Sequence, residues 1–144
     1  MTGTTAWIRP LTAADTRSWT RQEVRGSHCR TARDLFAEWA ARLGFPDYFG
    51  HNWDAFLDCL RGVVDDADHA LAIVVPEAGE LLIDEQPEAL ATLLTVLGQA
   101  AGRPGSAPGL LLLLDDTPDR LSDLAQLMTK AGYPVDLEDG GNGV

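Results

Sequence analysis

Two short apolar runs stand out from an otherwise amphipathic chain: ALAIVV at 70–75 and GLLLLL at 109–114. A short continuous apolar run is typical of a strand that is covered on both faces. Weaker strand patterns occur at 7–11, 19–26 and 133–138. Apolar residues recur with helical spacing at 31–43, from 52 to about 60 or 62, at 87–101 and at 118–131. The alternation predicts an α/β fold with a small parallel β-sheet packed with helices and right-handed crossovers.

Several predicted helices carry recognisable end signals. Thr31 has the position of an N-cap residue, with Asp34 three residues later in the capping-box position. Gly44 suits the left-handed residue that follows a helix, and Pro46 prevents continuation. Asn52 is the N-cap candidate of the second helix. In the last helix, the residues expected to face inward are Leu121, Leu124, Leu127 and Met128.

The second predicted helix has an unusual acidic strip beside its apolar face. On a helical wheel Phe56, Cys59 and Leu60 form the core side, and Trp53 and Leu57 border it. Beyond that border lie two aspartates at an i, i+4 spacing, Asp54 and Asp58. Two like charges at this spacing destabilise a helix by a few tenths of a kcal/mol, about the size of a weak ion pair.

Two interpretations of these aspartates remain open from the residues alone. In the first, Asp54 benefits from the helix dipole in the first turn, and Asp58 pairs with Arg61 at i+3. In the second, the carboxylates and their apolar neighbours form an acidic recognition surface, because apolar side chains beside carboxylates suit an interface with a basic partner.

Length and charge narrow the class of protein. The chain has 144 residues, the size of one domain, and a net charge of −11. Residues 43–144 hold eighteen acids against four basic residues, so this part would repel nucleic acid and anionic membranes and attract a basic partner. No transmembrane segment is expected, and the N-terminus lacks the pattern of a signal peptide, which favours the cytoplasm. Cys29 and Cys59 are expected to be free thiols.

Motifs for catalysis or cofactor binding are not evident. The sequence has no phosphate-binding loop with Lys, no nucleophile elbow and no basic aromatic patch. A metal site formed by His51, Asp54 and Asp58 is a minor alternative, since a supporting ligand cluster with suitable spacing is missing. We therefore expect no enzyme activity, no cofactor and no metal.

The turn and helix at 44–60 carry a dense motif. Its residues are the segment GFPDYFG at 44–50, then Asn52, Asp54, Ala55 and the segment LDCL at 57–60. This motif resembles the barstar family of intracellular ribonuclease inhibitors. The upstream segment VRGSHCRTARDLFAEWAARL also fits the family in spacing, and the resemblance extends over about residues 20–115. It implies one barstar-like domain over 1–144, with the core at about 20–115, a short N-terminal extension and a C-terminal extension at 116–144.

The resemblance implies a function and a set of contact residues. The second helix and the turn before it would block the active site of a basic extracellular ribonuclease or ribonuclease toxin domain, as an immunity protein or antitoxin does. Asp54 and Asp58 would then stand in for RNA phosphates, and Tyr48 would pack on a catalytic histidine. The full expected partner-binding set is Tyr48, Phe49, Gly50, Asn52, Trp53, Asp54, Leu57 and Asp58.

The chain also departs from the family pattern. Leu57 and Val63 stand where the best-known member has tryptophans, and an acidic contact on the later helix falls at Gln99. These differences bear on which nuclease is bound. They also leave open an alternative function, an acidic protein–protein interaction module without nuclease-inhibitor activity.

Overall fold

The structure is a computed structural model of the whole chain. It describes the residues at positions 5, 7–11, 20–46, 52–67, 70–102, 109–135 and 137. The statements below concern this part of the chain.

A four-stranded parallel sheet forms the centre of the fold. Its strands are β1 (Ile8–Pro10), β2 (Thr20–Glu23), β3 (Leu71–Pro76) and β4 (Leu110–Asp115). The spatial order is β1-β4-β3-β2, and every neighbouring pair is parallel. In the central register, Ile73 of β3 lies between Gln22 of β2 and Leu112 of β4. The first five residues of β3 and of β4 are all buried, which confirms the interpretation of the two apolar runs.

Four helices form where the sequence pattern predicts them. They are α1 (Ala32–Leu43), α2 (Trp53–Asp66), α3 (Pro87–Ala101) and α4 (Pro118–Lys130). Short 3-10 turns occur at Gly26–His28 and Ala78–Glu80. The Thr31 hydroxyl accepts from the Asp34 amide at 3.1 Å, and Gly44 ends α1 with a φ of 71°. The capping predictions for α1 are therefore confirmed, and so is the α/β fold class.

One face of the sheet and the helices share a single hydrophobic core. Alternate residues of β3 and β4 point to the helices: Leu71, Ile73, Val75, Leu110, Leu112 and Leu114. The opposite sheet face carries a smaller buried cluster of Ala72, Val74, Leu111 and Leu113. Ile8 of β1 and Met128 of α4 belong to the larger core, so elements at both ends of the chain pack with the central segment. The division into one domain with a C-terminal extension stays a prediction.

Helix α2 is longer than the sequence pattern indicated. The expected end was Leu60 or Gly62, but the helix continues to Asp66. The physical reason is Val64, which is buried and joins the core one turn after Leu60. This packing outweighs the roughly 1 kcal/mol by which a glycine disfavours a helix interior. Asp66, expected in a loop, is the last residue of the helix.

Two further expectations near the C-terminus are wrong. Residues 133–135 form no strand, and the remaining described residue of that segment, 137, is not in one either. Strand β1 forms the sheet edge beside β4. Tyr133 is outside the sheet and packs edge-on against Trp7, with ring centroids 6.0 Å apart. Leu127 of α4 was expected inside but is 48% exposed, whereas Leu124 and Met128 are buried.

The described helices include none long and apolar enough to cross a lipid bilayer.

A close backbone contact joins the segment after β2 to the turn after β3. A Cβ atom on Gly26 would lie 2.0 Å from the Glu77 carbonyl oxygen, a distance that requires the backbone to move. Glu77 itself adopts a left-handed conformation with a φ of 56°, which is uncommon for a residue with a side chain. The contact therefore depends on glycine at position 26.

We predict opposite effects for two glycine-to-alanine substitutions. Gly26→Ala should lower the free energy of unfolding by about 2–3 kcal/mol, because the added methyl group overpacks the contact with Glu77. Gly62→Ala is the matched control, since nothing lies within 4 Å of its Cβ and it sits inside α2. It should raise stability by about 0.5–1 kcal/mol through helix propensity. Urea unfolding of both variants tests this, and a neutral Gly26→Ala would contradict the described contact.

Candidate partner-binding site

The exposed side of α2 carries the residues that the sequence singled out. Asp54 and Asp58 are exposed, and Trp53 and Leu57 beside them are half-buried. Asn52 precedes them as the N-cap, and its side-chain oxygen accepts from the Ala55 amide at 2.8 Å. Five of the eight expected contact residues thus lie together at the start of α2.

An aromatic cluster fixes α2 against the body of the protein. Phe56 is fully buried, and four other aromatic rings surround it. The distances from the Phe56 ring centroid to theirs are 5.8 Å for Phe36, 5.3 Å for Trp39, 5.9 Å for Phe45 and 5.8 Å for Trp53. Most of these pairs are edge-to-face, a geometry that adds about 0.5–1.5 kcal/mol per pair beyond area burial. The helix is therefore held by its inner face, and the aspartates contribute nothing to that packing.

The two aspartates have no hydrogen-bonding or ionic partner in the described part of the chain. The Arg61 pairing that would give Asp58 a structural role does not occur there. Asp54 keeps the benefit of the helix dipole, because it lies in the first turn. The structure thus argues against a stabilising ion pair as the role of Asp58. A stabilising role through the helix dipole stays open for Asp54.

Several arginines are paired on a different part of the surface. Arg30 bonds Glu80 at 2.6 Å and Asp84 at 2.9 Å, and Arg120 lies 3.7 Å from Glu80. The Asp84 and Glu80 carboxylates raise the pKa of Arg30, so this guanidinium stays charged. Arg25 with Glu77 and Arg42 with Glu38 form further pairs. Arg25, Arg30 and Arg120 thus neutralise acids in the turn after β3, and Arg42 pairs within α1; none of these ion pairs involves a carboxylate of α2.

The negative charge of Asp58 is felt by the neighbouring thiol. Burial, and secondarily the Asp58 carboxylate, raise the pKa of Cys59 above its ordinary value. Cys29 lies deeper in the core, where burial and then the charge of Glu38 raise its pKa to about 12. Both cysteines are free thiols, as expected.

The extension of α2 adds acidic residues that the sequence pattern missed. Asp65 lies eleven residues after Asp54 and seven after Asp58, so it falls on the same side of the helix, in one stripe with them. Asp66 follows it as the last residue of α2. The last turn of α2 has no basic residue, although a helix C-terminus favours cations. Continuing the helical wheel past Gly62 would have revealed this stripe. The acidic surface therefore runs along the whole helix.

Some of the expected site lies outside the described residues. This applies to Tyr48, Phe49 and Gly50 of the turn, and to His51 of the minor metal alternative. Within the described residues, His, Cys, Asp and Glu side chains form no group of three suited to a metal ion. Gln99, the position of the later family contact, is exposed on α3, which packs against α2.

The described residues form an α/β fold with a parallel sheet, four helices and an exposed acidic face on α2. A model of the family described as Barstar (barnase inhibitor) matches residues 19–114, two thirds of the chain. A search with this chain among curated proteins found no match. The chain belongs to the barstar family, which confirms the resemblance of the motif at 44–60. Members of this family are ribonuclease inhibitors and not enzymes, which confirms the expectation of no enzyme activity.

We predict that Asp58→Asn speeds alkylation of Cys59 in the folded protein at mildly alkaline pH. The Asp58 charge raises the pKa of this thiol, so its removal lowers the pKa and increases the reactive thiolate fraction. Asp54→Asn is the matched control, because Asp54 does not contribute to that shift. Mass spectrometry of iodoacetamide-treated protein gives the rate, and Cys29 should stay unmodified because it is fully buried. Equal rates for both variants and wild type would contradict the described proximity.

Proposed function

We propose that this chain inhibits a basic ribonuclease, either an extracellular enzyme or a ribonuclease toxin domain, by binding it one-to-one. In this proposal α2 and the preceding turn cover the nuclease active site. The observation that carries it is the pair of exposed carboxylates, Asp54 and Asp58, on a helix that is held by other residues. A charge with no partner among the described residues is available to a partner protein.

The proposed contact has a simple electrostatic basis. A ribonuclease active site holds cationic side chains that bind the RNA phosphates, and two carboxylates four residues apart can occupy the same positions. Asp58 would lie at the centre of the contact, with Asp54 beside it and Asp65 toward the rim. The apolar neighbours Trp53 and Leu57 would exclude water, which strengthens each charge pair. The turn residues Tyr48, Phe49 and Gly50, with Asn52, would complete the surface.

The charge of the whole chain supports a basic partner. The net charge of −11 creates a potential that attracts a cationic protein over a distance and repels nucleic acid and anionic lipid. We accordingly propose no direct role for nucleic acid or membrane. We also propose a cytoplasmic location and an immunity or antitoxin role, in which the inhibitor protects the cell that makes the nuclease.

A second candidate function follows from the contact surface itself. Leu57 and Val63 are aliphatic and half-buried, whereas the best-known family member has tryptophans at these positions. Aromatic anchors supply much of the binding energy in many interfaces. A smaller anchor set would suit a weaker acidic interaction module that binds a basic protein without inhibiting a nuclease.

We predict that Asp58→Ala weakens nuclease binding by about 2–5 kcal/mol, because it leaves cations of the partner buried and unpaired. Asp66→Ala should cost about 1 kcal/mol or less, as expected of a rim charge. The two variants are well matched, since both aspartates are exposed and lie on the same helix. Neither change should lower the melting temperature appreciably, because the carboxylates take no part in the core.

The test uses an RNA-cleavage assay over a panel of basic ribonucleases and toxin domains, followed by calorimetric titration of the enzyme that is inhibited. Absence of inhibition at micromolar protein across the panel would contradict the inhibitor function and favour the interaction module. Equal losses of binding in the two variants would show that the general charge of α2, and not a central contact at Asp58, drives association.

A further inference from the structure

A second surface, remote in sequence from α2, has the features of a protein contact. A groove of about 780 Å³ lies between the segment 79–91 and α4. Among the described residues, the two large hydrophobic side chains with high exposure both line it: Ile83 is 54% exposed and Leu127 is 48% exposed. No residue of α2 lines this groove, so it is distinct from the proposed nuclease-binding surface.

The lining chemistry favours a protein surface over a small molecule. The floor is formed by apolar residues such as Leu82, Leu90 and Leu124. Small-molecule pockets usually add a few convergent polar groups that orient the ligand. No described side chain of the lining presents a buried polar atom without a hydrogen bond. The charged side chains of the lining are exposed or paired with each other, as Arg30 and Arg120 are with Glu80, so they form a polar rim around the apolar floor, as at a protein contact.

One face of α4 is complementary to itself. Asp123, Leu127 and Lys130 follow the i, i+4, i+7 spacing of a single helix face, and all three line the groove. Asp123 and Lys130 are about 10 Å apart along the helix axis, too far to pair within one chain. Within the described residues, the side chains of Asp123 and Lys130 form no hydrogen bond or ion pair. If a second α4 runs antiparallel and crosses at Leu127, Asp123 of each copy lies opposite Lys130 of the other.

The charge balance of the groove also suits a second copy. Two chains with a net charge of −11 repel one another, and an interface through the acidic face of α2 would be the least favourable. The groove lining carries both signs in nearly equal number: the basic residues Arg30, Arg120 and Lys130, and the acidic residues Glu80, Glu85, Glu88 and Asp123. It is therefore a surface where two copies can meet with little repulsion.

We propose that this chain forms a two-fold symmetric dimer through α4 and the groove beside it. Leu127 of each copy enters the groove of the other near Ile83, and two Asp123–Lys130 pairs close the contact. A two-fold interface uses the same patch on both copies, which is what a self-complementary helix face provides. The dimer leaves both α2 helices exposed. This inference does not depend on the identity of the nuclease.

The test is a charge-swap series read by sedimentation velocity at physiological ionic strength. Wild type should approach twice the mass of one chain as its concentration rises. Leu127→Glu should abolish the dimer, and Asp123→Lys and Lys130→Asp should each raise the dimer Kd by about tenfold or more through like-charge contacts. The double variant Asp123→Lys/Lys130→Asp should restore the dimer. An equimolar mixture of the two single variants should form heterodimers, because opposite charges then face one another.

Each outcome bears on the proposal. A wild type that stays monomeric at high concentration would overturn it. A dimer that tolerates both single charge reversals, or that the double swap fails to restore, would overturn the antiparallel α4 contact. Asp58→Ala serves as the matched control on the other surface and should leave the dimer Kd unchanged. Thermal melts at protein concentrations well below the dimer Kd, where association adds no stability, should match wild type for all variants, because Asp123, Leu127 and Lys130 are exposed.

Discussion

The structure depends on the packing of Phe56 among four other aromatic rings. This one side chain joins α2 to α1 and to the segment after it, through contacts with Phe36, Trp39 and Phe45. Removing a buried phenylalanine of this kind typically costs about 3–5 kcal/mol, a large part of the stability of a small domain. Because the inner face of α2 fixes the helix, its outer face is free to carry residues that do not favour folding.

The acidic outer face has a measurable but small cost. Like charges at i, i+4 and acids near a helix C-terminus each destabilise by tenths of a kcal/mol, far less than the aromatic packing contributes. The chain has arginines that could have offset these charges. Arg30 and Arg120 instead pair with Glu80 beside the turn after β3. The resulting distribution keeps a balanced surface near α4 and a strongly negative one along α2, which suits two different contacts.

Much of the fold could be predicted from local chemistry. The caps at Thr31 and Gly44 and the strands β3 and β4 depend on short-range rules, and these were confirmed. The errors came from tertiary packing: Val64 draws α2 past Gly62, and Tyr133 packs against Trp7 where the sequence pattern had predicted a strand at 133–138. The core side of α4 also excludes Leu127, because the groove opens beneath it. For the candidate site, the helical wheel of residues 53–61 places Asp54 and Asp58 on one side. Asp65 joins them only because α2 continues to Asp66, beyond the end that the sequence pattern predicts.

In the proposed complex the acidic helix occupies the place of RNA in a ribonuclease active site. The most direct measurement is the steady-state rate of a nuclease that this chain inhibits, recorded at several RNA and inhibitor concentrations. With inhibitor in excess over nuclease, competitive inhibition is expected: the apparent KM for RNA rises with inhibitor while kcat stays constant. A fall in kcat with an unchanged KM would mean that inhibitor and RNA bind the nuclease together, and it would contradict active-site occlusion by α2.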